Sequence, residues 1–482
     1  MTARPPRSPA RRPATARPAG AWLRAAGRLA AAALAIAAVG PAHGQILGGR
    51  GIGLPGVGDI ARPTVPGVTG LTDRVFRTAS ELADLRKLRL DALVDAHLDL
   101  LERDGHGDPV VRGEVVAISP DPAVLRAAES AGFRVAGRES LDDLGLELVT
   151  LSAPRGMSAR AALRRLRAAA PQGRFDLDHI HETSGLESSG HQSSGGAGIG
   201  VTAASVAAGG APVGRPRRIG MIDTGAEPRH PALRGAIVRQ QTFAAGPVTP
   251  RTHGAAVASL LVGHAPPFRG AAPGADLWVA DVYGSGPVGG ASIAIARALG
   301  WMAKNHVEVI NISLVGPDDL TLRTVVEAMV RRGFVIVAAA GNDGPAAPPA
   351  FPASYPGVIA VTAVDGRGRV LPEAGRPAHL DFAAPGADMA AASTEGWTAV
   401  RGTSFAAPLV AGRIAELTAS AHTDPPASGT VERARLALMR SARPLTVAGR
   451  RIGLVGEDLR VAPAAVGVRG VGARGTVLRQ AE

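Results

Sequence analysis

The sequence predicts an α/β fold: a parallel sheet with helices on both faces, preceded by a small α+β unit. Three observations point there. Between residues 215 and 465, strand-length apolar runs alternate with segments of helical period, and such alternation implies parallel strands joined by helical crossovers. Upstream, residues 112–182 read as strand, helix, strand, strand, helix, strand. The residues able to do chemistry stand at strand ends and helix starts, where the clefts of such sheets form.

The chain has 482 residues, a length that bounds it at two to four domains. Residues 1–44 carry seven arginines and no acid, then an apolar run from Leu29 to Val39 and the small-residue triplet Ala42-His43-Gly44. This is the pattern of a signal peptide, and the run is short for a membrane span. An uncleaved anchor is the alternative. Residues 45–110 combine a Gly/Pro linker with an amphipathic helix. Gly, Pro and Val without periodicity mark the linker, residues 45–70. From Thr72 to Arg103 the spacing predicts a helix, with Leu82, Leu85, Leu88, Val94, Leu98 and Leu101 on one stripe and Asp84 able to pair with Lys87. Its expected role is a packing arm. Asp104-Gly105-His106-Gly107-Asp108 lacks the ligand spacing of a calcium loop and reads as a helix stop.

In the small unit, residues 111–182, Gly113–Ile118, Phe133–Ala136, Leu146–Leu151 and Phe175–Ile180 read as strands. Ala123–Ala131 follows Asp121-Pro122 as a helix, and Ser158 caps another that runs to Ala170. The order is that of the ferredoxin-like split unit. Residues 183–214 are rich in Ser, Gly and Ala and read as an exposed linker. The large unit should contain Ile219–Ile222, His253–Val262, Leu277–Val282, Ala291–Lys304, Val309–Ser313, Leu320–Arg331, Val335–Ala340 and Ser404–Ala419 as alternating strands and helices. Residues 466–482 form a Gly-, Val- and Arg-rich tail.

Four motifs carry the chemistry. A strand ends in Asp223-Thr224-Gly225; thirty residues later His253-Gly254 opens an apolar helix; a buried strand ends in Gly341-Asn342-Asp343-Gly344; and Gly402-Thr403-Ser404-Phe405-Ala406-Ala407-Pro408 opens another helix. Pro408 is expected in that helix's first turn, where a missing N–H has no consequence. A serine there sits among backbone donors and the positive end of the helix dipole, a place able to hold an oxyanion.

Asp, His, Asn and Ser in this order and these contexts resemble the subtilisin-like serine proteases, over residues 215–465. The resemblance implies a subtilisin-like fold and peptide-bond hydrolysis. Ser404 would be the nucleophile, His253 its base, Asp223 the residue that orients the imidazole, and Asn342 an oxyanion donor. It also implies that Ser313, Leu314 and Val315 form one wall of the primary substrate pocket, with Gly341 and Ala350 opposite. No acid stands among these five, so an apolar pocket is expected, and Asp318 and Asp343 are expected in loops facing solvent. Ala255 stands where the family has Thr, and Val315 interrupts its Ser-Leu-Gly pattern; the second departure bears on specificity. His230 matches a structural position of the family, and His264 falls at a helix end. The small unit resembles the propeptide of subtilases. That implies an intramolecular inhibitor whose tail, His179–Gly185, lies in the cleft until cut, and makes 183–214 the activation segment. Structural calcium is compatible with the family, although the sequence shows no ligand motif for it; no cofactor is implied.

Composition narrows partners and compartment. The net charge is +12, of which the leader alone supplies seven, and aromatics are 3%. A diluted basic excess with few stacking residues argues against nucleic acid. Residues 45–199 and 200–445 carry opposite net charge, which favours their association. There is no cysteine, so no disulfide framework exists. The reading is an exported, self-processing serine endopeptidase acting on polypeptides, with no nucleic acid and no stable membrane span after signal cleavage. Two alternatives stay open: an inactive binding or chaperone-like protein of the same fold, and a self-cleaving protein with little activity on other substrates.

Overall fold

This computed structural model describes residues 79–183, 186–187, 217–418 and 429–468. The expected signal peptide, the 45–70 linker, most of the 183–214 segment and the tail beyond residue 468 lie outside the described residues. The first helix, α1 (Ala79–Ala96), stops well short of Arg103. It buries Leu82, Leu90, Leu93 and Val94 and leaves Leu88 62% exposed. The stripe expected from the sequence is therefore displaced. Steps of three residues walk backward by about 60° each on an α-helix, which carries Leu88 round to the outer face. After α1 comes β1 (Leu101–Arg103), paired antiparallel with β2 (Pro109–Ile118). The Asp104–Asp108 loop is the turn between them and not a helix stop: Asp104 Oδ1 accepts from the N–H groups of His106 and Asp108, each at 2.8 Å.

The rest of the small domain follows the expected order: α2 (Pro122–Ser130), β3 (Arg134–Leu141), β4 (Leu146–Ser152), α3 (Ala159–Ala169) and β5 (Phe175–His179). β2 lies between β4 and β5, and β3 lies outside β4, all antiparallel. Strand alternation divides the sheet between two cores. Val115, Ala117, Val149 and Leu151 pack with Val124, Leu125 and Leu166 of α2 and α3. Val116, Ile118 and Leu148 pack instead with residues of the large domain, among them Leu299, Met302 and Val325.

Beyond β6 (Glu182–Thr183) and β7 (Leu186–Glu187), the large domain opens with β8 (Arg218–Asp223), β9 (Val238–Thr242) and α4 (Thr252–Val262). A ribbon of β10 (His264–Ala265) and β11 (Phe268–Arg269) precedes β12 (Asp276–Asp281), α5 (Ser292–Lys304), β13 (Val309–Ile312), β14 (Leu314–Val315), α6 (Leu320–Arg331) and β15 (Val335–Ala339). Then come β16 (Ile359–Val364), β17 (Phe382–Pro385), β18 (Met389–Ala392), β19 (Trp397–Arg401), α7 (Thr403–Thr418), α8 (Thr430–Ser441), β20 (Arg443–Val447) and β21 (Arg450–Leu454). The sheet order is β20-β21-β17-β16-β15-β13-β8-β12-β9, parallel except for the β20–β21 hairpin. One core joins α4, α7 and α8 to the sheet; the other joins α5 and α6 to its opposite face. The α/β class and the helices on both faces are as the alternation predicts.

The small domain docks through the N-termini of α5 and α6. Asp178 Oδ1 accepts from Ile293 N at 3.0 Å, and Asp176 Oδ2 accepts from Leu320 N at 2.6 Å. Each carboxylate thus meets the positive end of a large-domain helix. His179 Nδ1 donates to Asp319 Oδ2 at 2.9 Å, and its Nε2 lies 3.6 Å from Asp104 Oδ2. Burial opposes the charge on His179, yet these two acids push its pKa up to about 10. Burial pushes Asp178 up to about 8, the Ile293 bond notwithstanding. A carboxyl raised in the folded state contributes stability fully below its ordinary pKa of 3.8, and that contribution is lost as pH rises through about 8. Asp178→Asn keeps the acceptor and removes the titration. The full-length variant should melt higher than the parent at pH 8 and equal to it at pH 4, as followed by circular dichroism; a variant less stable at both would contradict this.

Candidate active site

Asp223 closes β8, and His253 is the second residue of α4. The two are buried, with His253 Nδ1 donating to Asp223 Oδ1 at 2.8 Å. The same oxygen accepts from Thr224 N at 2.7 Å, and Thr224 Oγ1 accepts from Gly254 N at 2.9 Å. This hydroxyl ties the strand end to the helix start and so fixes the pair. The His253 ring lies 5.3 Å from that of Phe405, the neighbour of Ser404 in α7.

Ser404 is the second residue of α7, so Pro408 falls in the second turn and not the first. Proline has no N–H for the carbonyl four residues back. That carbonyl belongs to Ser404, and it accepts from Ser313 Oγ at 2.9 Å instead. Ser313 Oγ in turn accepts from Asn311 Nδ2 at 2.9 Å, and Ser404 Oγ donates to the Ser313 carbonyl at 3.2 Å. Asn342 Oδ1 accepts from Thr403 N at 2.9 Å. Its Nδ2 is shielded from solvent and has no hydrogen-bond partner among the described residues. Thr403 also holds the preceding residue: its Oγ1 accepts from Gly341 N and donates to Gly341 O.

The five pocket residues divide. A Cβ built on Gly341 would lie 3.3 Å from Ala350 Cβ and 3.7 Å from Val315 Cγ1, so these three come together. Leu314 sends its side chain into the core beneath α5 and α6 and bounds the cleft by backbone alone. The Ser313 hydroxyl is engaged with Ser404 and Asn311. Strand alternation explains the split. Asp343 does not face solvent. Its side chain is 16% exposed and paired with Arg86 and Arg89 of α1. Asp318, in contrast, is exposed and paired with Arg323. His230 caps the 3-10 turn Pro231–Leu233, accepting from Ala232 N and contacting the Gly396 carbonyl at 2.8 Å. His264 lies in the β10–β11 ribbon and is exposed.

The chain leaving the small domain runs through the cleft. Ile180 bridges Ala291, and His181 N donates to Gly290 O at 2.8 Å. Glu182 and Thr183 then pair antiparallel with Val315 and Leu314, while Leu186 and Glu187 pair with Arg401 and Val400 of β19. The fit demands glycine: a Cβ on Gly316 would lie 2.4 Å from His181 Cδ2, and one on Gly290 would lie 2.0 Å from His181 O. Tyr283 Oη donates to the same His181 carbonyl at 2.8 Å. Burial pushes the His181 imidazole down to about 4, and neither ring nitrogen has a hydrogen-bond partner among the described residues. Sequence reasoning missed Thr403, Tyr283 and Arg89. Only Thr403 left a signal, as part of the serine motif. Ligand-type atoms of Asp176, His179 and Asp319 come within 4.8 Å of one another. They are engaged with Leu320 N, Ser292 Oγ and each other, which accounts for the cluster without an ion.

A parallel sheet carrying an Asp–His pair at one strand end and a serine at a helix start defines a hydrolase-like architecture. Residues 214–461 match the subtilase family (Peptidase_S8), just over half the chain, and the protein belongs to that family. It is 34% identical to subtilisin E of Bacillus subtilis (strain 168) over 211 residues, 41% of this chain and 54% of that protein. With thermitase of Thermoactinomyces vulgaris it shares 33% identity over 214 residues, 42% of this chain and 75% of the relative. The chain spans about half the length of the first curated relatives it matches. Fervidolysin from Fervidobacterium pennivorans, a keratinolytic enzyme related to subtilisin, aligns with a TM-score of 0.58 at 20% identity, over 74% of this chain and 61% of that one. At that identity the likeness shows the fold.

Ser313→Ala removes the donor that replaces the missing Pro408 N–H and leaves Asn311 Nδ2 without its acceptor. Each of the two buried groups that loses its partner should cost about 1–3 kcal/mol. The midpoint of urea unfolding should fall accordingly, and an unchanged midpoint would show that the latch contributes nothing to stability.

Proposed function

We propose that the protein is an exported serine endopeptidase that processes itself. The buried Asp223–His253 pair beside the α7 start is the observation that carries this reading. His253 takes the proton of the Ser404 hydroxyl as Ser404 attacks the peptide carbonyl. Asp223 keeps the proton on Nδ1 and stabilises the imidazolium. Asn342 Nδ2, held by the Thr403 contact to its Oδ1, donates to the oxyanion together with backbone N–H at the α7 terminus. Val315, Gly341 and Ala350 form an apolar primary pocket, with the Ser313 and Leu314 backbone alongside. Export rests on the leader at 1–44; no helix among the described residues is long and apolar enough to cross a membrane.

The small domain serves as prosegment and intramolecular inhibitor. The strand pairing on either side of the nucleophile supports this: β6 lies on β14, and β7 lies on β19 just before Gly402. Leu314, the partner of Thr183, directly follows Ser313, which touches Ser404. The self-cut therefore falls within Thr183-Ser184-Gly185-Leu186. The extensive docking of the small domain favours, as a second reading, a protein that cuts itself and stays blocked.

In purified protein, N-terminal sequencing should find a new terminus at Ser184, Gly185 or Leu186. Ser404→Ala should leave the precursor whole and refuse a labelled fluorophosphonate. Survival of the cut in that variant would overturn the nucleophile assignment, and casein hydrolysis after prosegment removal separates the two readings. Asn342→Ala should lower kcat on the order of 100- to 1,000-fold with little change in KM. A loss confined to KM would make Asn342 a lining residue only.

A further inference from the structure

Two carboxylates share one guanidinium at the edge of the cleft. Glu182, opposite Val315, is held by Arg89 through three contacts of 3.0–3.2 Å. The same Arg89 Nη2 donates to Asp343 Oδ1 at 3.0 Å. The two carboxylates therefore approach to about 6 Å or less, each being 3.0 Å from one nitrogen. Asp343 follows Asn342 directly, and its second ion pair is to Arg86 Nε at 3.5 Å. Both partners of Asp343 thus come from α1, which also packs Leu82 onto Gly344: a Cβ there would lie 2.9 Å from Leu82 Cδ1. Burial disfavours the Arg89 charge, but Glu182 and Asp343 more than restore it, raising its pKa.

α1 lies on the N-terminal side of the proposed self-cut and departs with the prosegment. Its two guanidinium groups go with it, and Asp343 is left beside the place Glu182 occupied. We infer that Asp343 is a specificity-determining residue of the mature enzyme, selecting Lys or Arg at the substrate position that pairs with Val315 and disfavouring Glu or Asp there. This inference rests on the peptidase reading above. The prosegment can carry an acid at that position because Arg89 stands between the two carboxylates. A substrate lacks that bridge, so its own cation takes the place of Arg89. The position is distinct from the apolar pocket of Val315, Gly341 and Ala350, because alternate residues of a strand carry different contacts and the side chain opposite Val315, Glu182, is the one that meets the shared guanidinium among the described residues of this segment.

The test uses the self-processed enzyme and peptides copying residues 178–189 with Glu, Gln or Lys at the Glu182 position. kcat/KM should rise in the order Glu, Gln, Lys, with Lys about tenfold above Glu at low ionic strength. The spread should narrow in 1 M salt, where the Debye length is about 3 Å. Asp343→Asn should bring the three peptides together, and Asp343→Lys should invert their order. Equal rates with the parent enzyme, or an unchanged order with Asp343→Lys, would overturn the inference. Cleavage that ignores charge overturns it alone, whereas failure to cleave any peptide overturns the peptidase reading as well.

Discussion

The site depends on a hydrogen bond that a proline makes necessary. Pro408 cannot donate to the Ser404 carbonyl, so α7 reaches outside itself, to Ser313 Oγ. That single exchange binds the helix carrying the serine to the strand bordering the cleft. Ser313 is fixed in turn by Asn311, from the central strand β13. Ser404 and the strand beside it are therefore positioned by one buried chain of two side chains and a backbone carbonyl, and neither moves without the other. Thr403 does the same on the other side, gripping Gly341 by its hydroxyl and Asn342 by its backbone. A helix without proline at this position would satisfy its own carbonyl and have no such tie.

A second constraint governs the small domain. Its sheet has two apolar faces and only enough helix to cover one. The uncovered face, with Val116, Ile118 and Leu148, needs the surface of α5 and α6. The acids of β5 set the register of that docking, because each meets the N-terminus of one helix. Burial is unfavourable for such carboxylates on their own, and Asp178 shows it in its raised pKa. The arrangement places β6 directly at β14.

Elements that rest on local pattern were legible in the sequence. The alternation of strands and helices, the four motif positions and the order of the small domain all follow from periodicity and caps. What failed depended on direction in space. The α1 stripe departs from the one the sequence suggests because leucines three apart drift around a helix, and Leu88 ends on the outer face. Leu314 and Val315 are neighbours in sequence and opposite in fate, one in the core and one beside Gly341. Pro408 lies one turn later than the sequence suggests because the helix starts at Thr403. Asp343 looked like an exposed loop acid, since the arginines that cover it lie about 250 residues upstream; no local signal encodes such a meeting.

The cleft binds its own chain chiefly through backbone. Antiparallel pairing supplies main-chain bonds that any sequence could make, and the glycines at 290 and 316 bring the segment so close that side chains have little room. Recognition must then fall on the few places where a side chain meets something other than backbone. Among the described residues these are the meeting of Gly341 with Val315 and Ala350, the buried seat of His181, and the edge where Glu182 meets Arg89. The first is apolar and the second takes an uncharged ring. Only the third involves formal charge, and there the charge of the cleft is hidden while α1 is in place. There α1 supplies the guanidinium groups that pair with Asp343, so the charge at this edge is set by a helix outside the large domain.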